Sequence, residues 1–165
     1  MSVFEPSEVF QFAIRIEEGG EKFYREMAEK LENAEVKTLF SALADEETKH
    51  KKTYEAMLSK IEEYEPFESY PGEYFAYLRA YADNIIFTPK KMDEEMNKIS
   101  DASTALKFAI NRELDSILYY QEVKKLVPQN QRDLVDKIID EERRHFVKLT
   151  KCSDDVADSC IRKEE

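Results

Sequence analysis

Apolar residues recur at intervals of three and four along most of the chain, the spacing that places side chains on one face of an α-helix. From Ser7 to about Tyr64 the stripe reads Val9, Phe10, Ala13, then Tyr24, Met27, Ala28, Leu31, then Leu39, Leu43, His50, Tyr54, Met57 and Ile61, with no proline. Those roughly 58 residues exceed one ordinary helix, and the polar segment Glu32-Asn33-Ala34-Glu35 is the natural break. The pattern predicts two antiparallel helices of about 26 and 28 residues joined by a short turn. From about Ala102 the stripe returns as Leu106, Ala109, Ile110, Ile117, Tyr120 and Val123, and beyond Pro128 as Leu134, Val135, Ile138, His145 and Leu149. A second helical hairpin is expected there.

Between the hairpins, about 62–101 holds three of the five prolines and Gly72, with an aromatic segment Tyr74-Phe75-Ala76-Tyr77-Leu78 that predicts one short helix. Some 40 residues are too many for a tight turn and enough to run the length of a bundle, as long crossovers do in some four-helix bundles. The aromatic residues Tyr74, Phe75, Tyr77 and Tyr81 are expected to pack this crossover on the bundle or on a neighbouring subunit. The expected organisation is all-α: one four-helix bundle over 1–151, then a polar tail over 152–165 that is disordered or at most one helical turn.

Composition narrows the partners. With 3 Gly against 37% charged residues among 165, the chain lacks the punctuation of a β sandwich or barrel. A formal charge of −11 argues against nucleic acid and anionic membranes, whose phosphates it would repel. Cys152 and Cys160 form neither a disulfide framework nor a CxxC pair, and reduced thiols are the default. No basic-then-apolar leader opens the sequence and no apolar run approaches ~20 residues, so a soluble, cytoplasmic protein with no membrane segment is expected. High charge with few Gly hints weakly at a thermophile source.

Four acidic residues interrupt the stripes where Leu or Ile belongs: Glu17, Glu47, Glu113 and Glu142. A buried carboxylate must become neutral or find a partner. The chain's two histidines both follow such a residue, as Glu47-Thr48-Lys49-His50 and Glu142-Arg143-Arg144-His145. At i, i+3 the carboxylate and imidazole differ by only ~4.5 Å of rise and reach the same ion. Glu17 and Glu47 each lie about 15 residues, or ~22 Å, from the first turn, and Glu113 and Glu142 are equally level about the second. Two such hairpins would bring four carboxylates and two imidazoles together at mid-bundle. Two divalent cations balance that charge, and mixed oxygen and nitrogen ligation suits iron or manganese, with zinc also able to bind.

These features, with tyrosine seven residues after Glu17 and Glu113, resemble the ferritin-like di-iron carboxylate superfamily and its rubrerythrin-like members in particular. There Glu-x6-Tyr stands on the first and third bundle helices and Glu-x-x-His on the second and fourth. The resemblance covers roughly residues 7–150. It implies a ferritin-like bundle holding two iron ions per chain, with manganese or zinc as substitutes. It implies Glu17 and Glu113 as terminal ligands, Glu47 and Glu142 as bridges, and His50 and His145 as the residues completing each ion. Tyr24 and Tyr120 would hydrogen-bond carboxylates and fix their orientation. The implied activity is that of an oxidoreductase in oxidative-stress defence, reducing H2O2 or O2 with electrons from a rubredoxin-like donor, another donor or Fe(II), with no catalytic residue beyond the ligands. A homodimer is also implied, the crossover being of a kind that permits hairpins to be exchanged between subunits.

The chain departs from full-length rubrerythrins in lacking a four-cysteine rubredoxin domain and in having Ser116 where they carry a further glutamate one turn after the third-helix ligand. Bacterioferritin shares the six-ligand set, so iron storage competes, although cage ferritins add a fifth helix and only about 15 residues follow Lys151 here. A metal used only as a staple in a non-catalytic bundle is the remaining alternative. Gly19-Gly20, costing ~1 kcal/mol each in a helix, signals either room beside the metals or close helix packing. The five Met read as core filler, with an interfacial haem ligand of the bacterioferritin kind as the other role.

Overall fold

The computed structural model describes residues 6–60, 73, 76–78, 80–81, 89–127 and 129–161. Helix α1 (Pro6–Lys30) pairs with α2 (Ala34–Leu58), and α4 (Ala102–Leu126) with α5 (Gln129–Ile161). A further helix, α3 (Pro89–Lys98), precedes the second hairpin. No strand occurs among the described residues. The two pairs pack through α1 against α4 and α2 against α5, giving the ferritin-like all-α bundle. No described helix is long and apolar enough to cross a membrane.

Local signals set the boundaries. The Asn33 side chain accepts from the Val36 N–H at 3.0 Å, and the Asp101 carboxylate accepts from the Thr104 N–H at 2.9 Å. Each thus satisfies a donor that a helix start leaves without an intrahelical partner. The first two helices are shorter than the expected 26 and 28 residues, at 25 each, because α1 stops before Leu31 and α2 closes at Leu58.

Two apolar clusters flank the middle of the bundle. One gathers Phe23, Met27, Phe40, Leu43, Leu106 and Leu149 at the end where α1 turns into α2. The other gathers Val9, Ala13, Tyr54, Tyr120, Val123 and Ile138 at the opposite end, where α4 turns into α5. Because the hairpin turns lie at opposite ends, positions equidistant from each turn meet between the clusters. That middle layer is where the buried polar residues sit.

Three expectations need correction. The crossover carries a ten-residue helix besides its aromatic segment: α3 starts at a proline and buries Met92 and Met96, with Ile99 just beyond its end, one face of a helical turn pattern, against α1. Lys30 reinforces that contact by donating to the Ile99 carbonyl at 2.6 Å. The chain after Lys151 is not a disordered tail or a single turn, since α5 runs on to Ile161 with Cys152 buried and Val156 packed on the first cluster. Leu134 is 41% exposed, its neighbour Val135 having taken the inward position. Of the aromatic residues expected to pack the crossover on the bundle, Tyr81 does so, stacking on Tyr119 and donating to the Asp115 carbonyl at 2.6 Å, whereas Tyr77 is 46% exposed; Leu78 is buried. Tyr74, Phe75, Ile61 and the Cys160 side chain lie outside the described residues.

Candidate metal centre

The buried polar and charged residues of the described chain are six: Glu17, Glu47, His50, Glu113, Glu142 and His145, none more than 4% exposed. One comes from α1, two from α2, one from α4 and two from α5. Their donor atoms form two groups, Glu17-Glu47-His50-Glu142 and Glu47-Glu113-Glu142-His145, each able to gather one atom per residue within 4.8 Å. Glu47 and Glu142 belong to both groups, Glu17 and Glu113 to one each.

The imidazoles define the interior. His50 Nδ1 lies 2.9 Å from Glu142 Oε1 and 3.4 Å from Glu17 Oε2. His145 Nδ1 lies 3.1 Å from Glu142 Oε2, 3.5 Å from Glu47 Oε1 and 3.6 Å from Glu113 Oε2. The two rings stand nearly parallel, 5.7 Å apart. Glu142 therefore turns one oxygen to each ring. Both Nδ1 atoms, both Glu142 oxygens and Glu17 Oε2 are buried without an aligned hydrogen-bond partner, as is the Tyr54 hydroxyl. Buried polar atoms are nearly always satisfied, and so many orphans facing one centre fit a site for a pair of cations. Four oxygen donors and two nitrogen donors suit iron or manganese.

The outer faces of the site are held by contacts that cross the bundle. His50 Nε2 lies 2.6 Å from Glu141 Oε2 on α5, and His145 Nε2 lies 2.5 Å from Glu46 Oε2 on α2. Each imidazole is thus anchored by a carboxylate of the other hairpin, which aims Nδ1 inward and favours the tautomer with the proton on Nε2. The tyrosines cross too: Tyr24 on α1 donates to Glu113 on α4, and Tyr120 on α4 donates to Glu17 on α1. Sequence reasoning placed both tyrosines and missed Glu46 and Glu141. The signal was present, since both motifs read Glu-Glu-x-x-His.

Electrostatics divide the carboxylates into two kinds. Burial, with the charges of Glu47 and Glu142 respectively, holds Glu17 and Glu113 well above the usual carboxylate range and favours their protonated forms. Burial opposes ionisation of Glu142 as well, but the facing His145 and His50 outweigh it and hold that carboxyl well below the usual range. Glu47 is lowered too, its burial and the Glu142 charge being overcome by Glu17, His145 and His50. Burial would neutralise the imidazoles, yet the surrounding carboxylates raise both far above the ordinary histidine value. The centre thus sets two raised imidazoles against two lowered carboxyls.

The glycine pair serves both purposes entertained for it. A Cβ on Gly20 would stand 3.3 Å from Glu47 Cδ, whereas one on Gly19 would meet Met92 Cε at 3.2 Å. Gly20 therefore leaves room for the Glu47 carboxylate, and Gly19 lets α3 close on α1. Gly20→Ala should raise helix stability by up to ~1 kcal/mol while displacing Glu47. The expected outcome is a metal-free protein with unchanged or raised melting temperature and weaker metal binding, read by calorimetric titration with Mn(II).

A family model, Rubrerythrin, matches residues 8–153. Among solved structures, a ferritin-like diiron-carboxylate protein of Thermotoga maritima is similar to this chain with 30% identity and a TM-score of 0.65, covering 93% of this chain and 97% of its own. No curated protein matches.

Proposed function

Since the chain belongs to the rubrerythrin family, we propose that it is a di-iron oxidoreductase that reduces O2 or H2O2 with electrons from an external rubredoxin-like donor or from Fe(II). The single observation carrying this reading is the set of orphaned, inward-facing donor atoms shared between two overlapping four-residue groups. Glu17 and Glu113 would each hold one ion, Glu47 and Glu142 both, and His50 and His145 would complete them through Nδ1. When bound, a ferrous pair supplies two electrons, enough to take H2O2 and two protons to two waters, or O2 and two protons to H2O2.

The chain's own residues do the rest. Glu46 and Glu141 fix the imidazole orientations, and Tyr24 and Tyr120 fix the terminal carboxylates while remaining protonated, their phenols raised by burial and neighbouring carboxylates. The apolar clusters above and below exclude bulk water. A cytoplasmic homodimer is part of this reading.

The test is anaerobic loading with Fe(II), a metal count, and addition of oxidant with and without reductant. Two irons per chain, a near-ultraviolet charge-transfer band on oxidation and repeated turnover with reductant are expected. Accumulation of ferric mineral far beyond two ions per chain would instead identify storage, and tightly held metal that never changes oxidation state would identify a structural staple.

A further inference from the structure

The two ends of the bundle carry different rings. Counting six and seven residues on from Glu17 and from Glu113 gives Phe23-Tyr24 on α1 but Tyr119-Tyr120 on α4. Tyr24 borders on phenylalanine, with the ring centres of Phe23 and Phe40 at 5.4 and 5.1 Å and Phe108 another 4.8 Å beyond Phe23. Tyr120 borders on tyrosine, with Tyr54 at 5.0 Å and Tyr119 at 6.1 Å. From Tyr119 the series continues to Tyr81, stacked on it at 5.8 Å, and then to Tyr77, 6.1 Å further on. All these spacings lie in the range of aromatic rings in contact. Tyr119 and Tyr120 are fully buried, Tyr81 is half-buried and Tyr77 is exposed. At the inner end the Tyr120 hydroxyl donates to Glu17. Tyrosines thus lead by successive contacts from a buried carboxylate of the centre to the surface.

A phenol yields an electron and its proton to strong oxidants that leave a phenylalanine ring intact. Electron tunnelling weakens exponentially with distance, so a row of adjoining phenols carries charge in short steps where one long step fails. The proton decides where the electron deficit rests. Tyr119 and Tyr81 donate to the backbone carbonyls of Val9 and Asp115, at 3.1 and 2.6 Å, and a carbonyl is too weak a base to take the proton. The Tyr54 hydroxyl has no acceptor at all. Tyr77 stands in water, which takes it. We propose that Tyr77, Tyr81, Tyr119 and Tyr120 form a conduit that delivers a single electron from the surface to the Glu17 side of the centre when the metals hold one too few, leaving the radical at Tyr77 within reach of a small one-electron reductant such as ascorbate or a thiol.

The step balances. One electron from iron(II), one from Tyr77 and two protons take one H2O2 to two waters. Tyr77 sheds its phenolic proton to solvent and is left as a phenoxyl radical, which the reductant restores with one electron and one proton. The phenylalanines beside Tyr24 offer no such exit, so the traffic is confined to the Tyr120 side.

The inference rests on the redox reading above, and its test separates the two. Iron-loaded protein is poised half-reduced, mixed with an equivalent of H2O2 in the presence of a nitroso spin trap, and read by electron paramagnetic resonance and by peptide mass spectrometry of the trapped adducts. A tyrosyl signal and an adduct on Tyr77 are expected. Tyr119→Phe and, independently, Tyr81→Phe each remove one hydroxyl and keep the ring. Both should lose the Tyr77 adduct at unchanged iron content and helicity, with oxidation products moving inward to Tyr120 and Tyr54. An adduct on Tyr77 that survives in either folded variant, or none there in the wild type although the iron is oxidised, overturns the conduit and leaves the di-iron oxidoreductase standing. Iron that does not bind, or that peroxide does not oxidise, overturns the redox reading and the conduit with it.

Discussion

Glu142→Ala is expected to abolish retention of the metal pair, a far larger effect than substitution of any neighbour outside the six. Glu142 is 1% exposed, and its two oxygens stand 2.9 Å from His50 Nδ1 and 3.1 Å from His145 Nδ1. Among the described residues only Glu47 does likewise, at the longer distances of 3.7 and 3.5 Å. Removal of Glu142 takes a donor from both ions and also strips two buried imidazolium groups of their principal counter-charge in the metal-free state. Breaking a buried charge pair by deleting one partner costs about 3–5 kcal/mol, so a lower melting temperature should accompany the lost metal. Glu141→Ala provides the contrast, because Glu141 reaches the centre only through the outer nitrogen of His50, its other oxygen lying 3.6 Å from Arg144. Loss of such an outer partner weakens metal binding by roughly 10–100-fold. Metal per chain after dialysis, with circular dichroism to confirm helix content, checks both. Wild-type metal content in folded Glu142→Ala would refute the shared-bridge geometry.

The positions of the buried carboxylates are legible because acidic residues are conspicuous on an apolar stripe. Glu17, Glu47, Glu113 and Glu142 interrupt stripes that otherwise carry Ala, Leu, Ile and aromatic residues, and helix rise converts their distance from each turn into a common height. The crossing of the tyrosines was not legible, since a seven-residue spacing shows that Tyr24 lies on the same face as Glu17 but not that its hydroxyl reaches Glu113 across the bundle. Glu46 and Glu141 were hidden for a different reason. They sit one residue, or ~100° of helix rotation, from the inward position, among charged residues that read as a solvated face, and only the packing of the two hairpins turns each toward the opposite histidine.

Weak periodicity explains the other gaps. In α3 only Met92 and Met96 face inward, with Ile99 just beyond its end, a stripe too short to stand out until α1 is there to receive it. At the end of α5 the spacing Leu149, Cys152, Val156 continues the stripe at three and four, but the intervening acidic residues disguise it as a tail. The pair Leu134-Val135 shows the reverse case, where two adjacent apolar residues cannot both face the core and only the structure chooses.

Metal-free and metal-loaded protein should respond to rising pH in opposite directions. Without metal, burial holds Glu17 and Glu113 protonated well above the ordinary carboxylate value, and the surrounding carboxylates hold His50 and His145 protonated above the ordinary imidazole value. A raised group stabilises the fold fully below its unfolded value and progressively less as pH rises toward its folded one. The loss therefore begins for the two glutamates above about pH 4.3 and for the two histidines above about pH 6.5. The lowered groups Glu142 and Glu47 act oppositely, their contribution being present above about pH 4.3 and lost as pH falls below it. The metal-free protein should accordingly be most stable in mild acid and melt at a falling temperature from there to pH 8. Bound cations replace the protons on the two imidazole Nδ1 atoms and on Glu17 and Glu113, so affinity tightens with pH and stability is gained by linkage. Thermal melts with chelator and with Mn(II) at pH 5, 6.5 and 8 would show the curves diverging. Titrations in buffers of different ionisation enthalpy would show protons released on loading. Parallel curves, or loading without proton release, would mean that the six groups do not share their protons as the geometry requires.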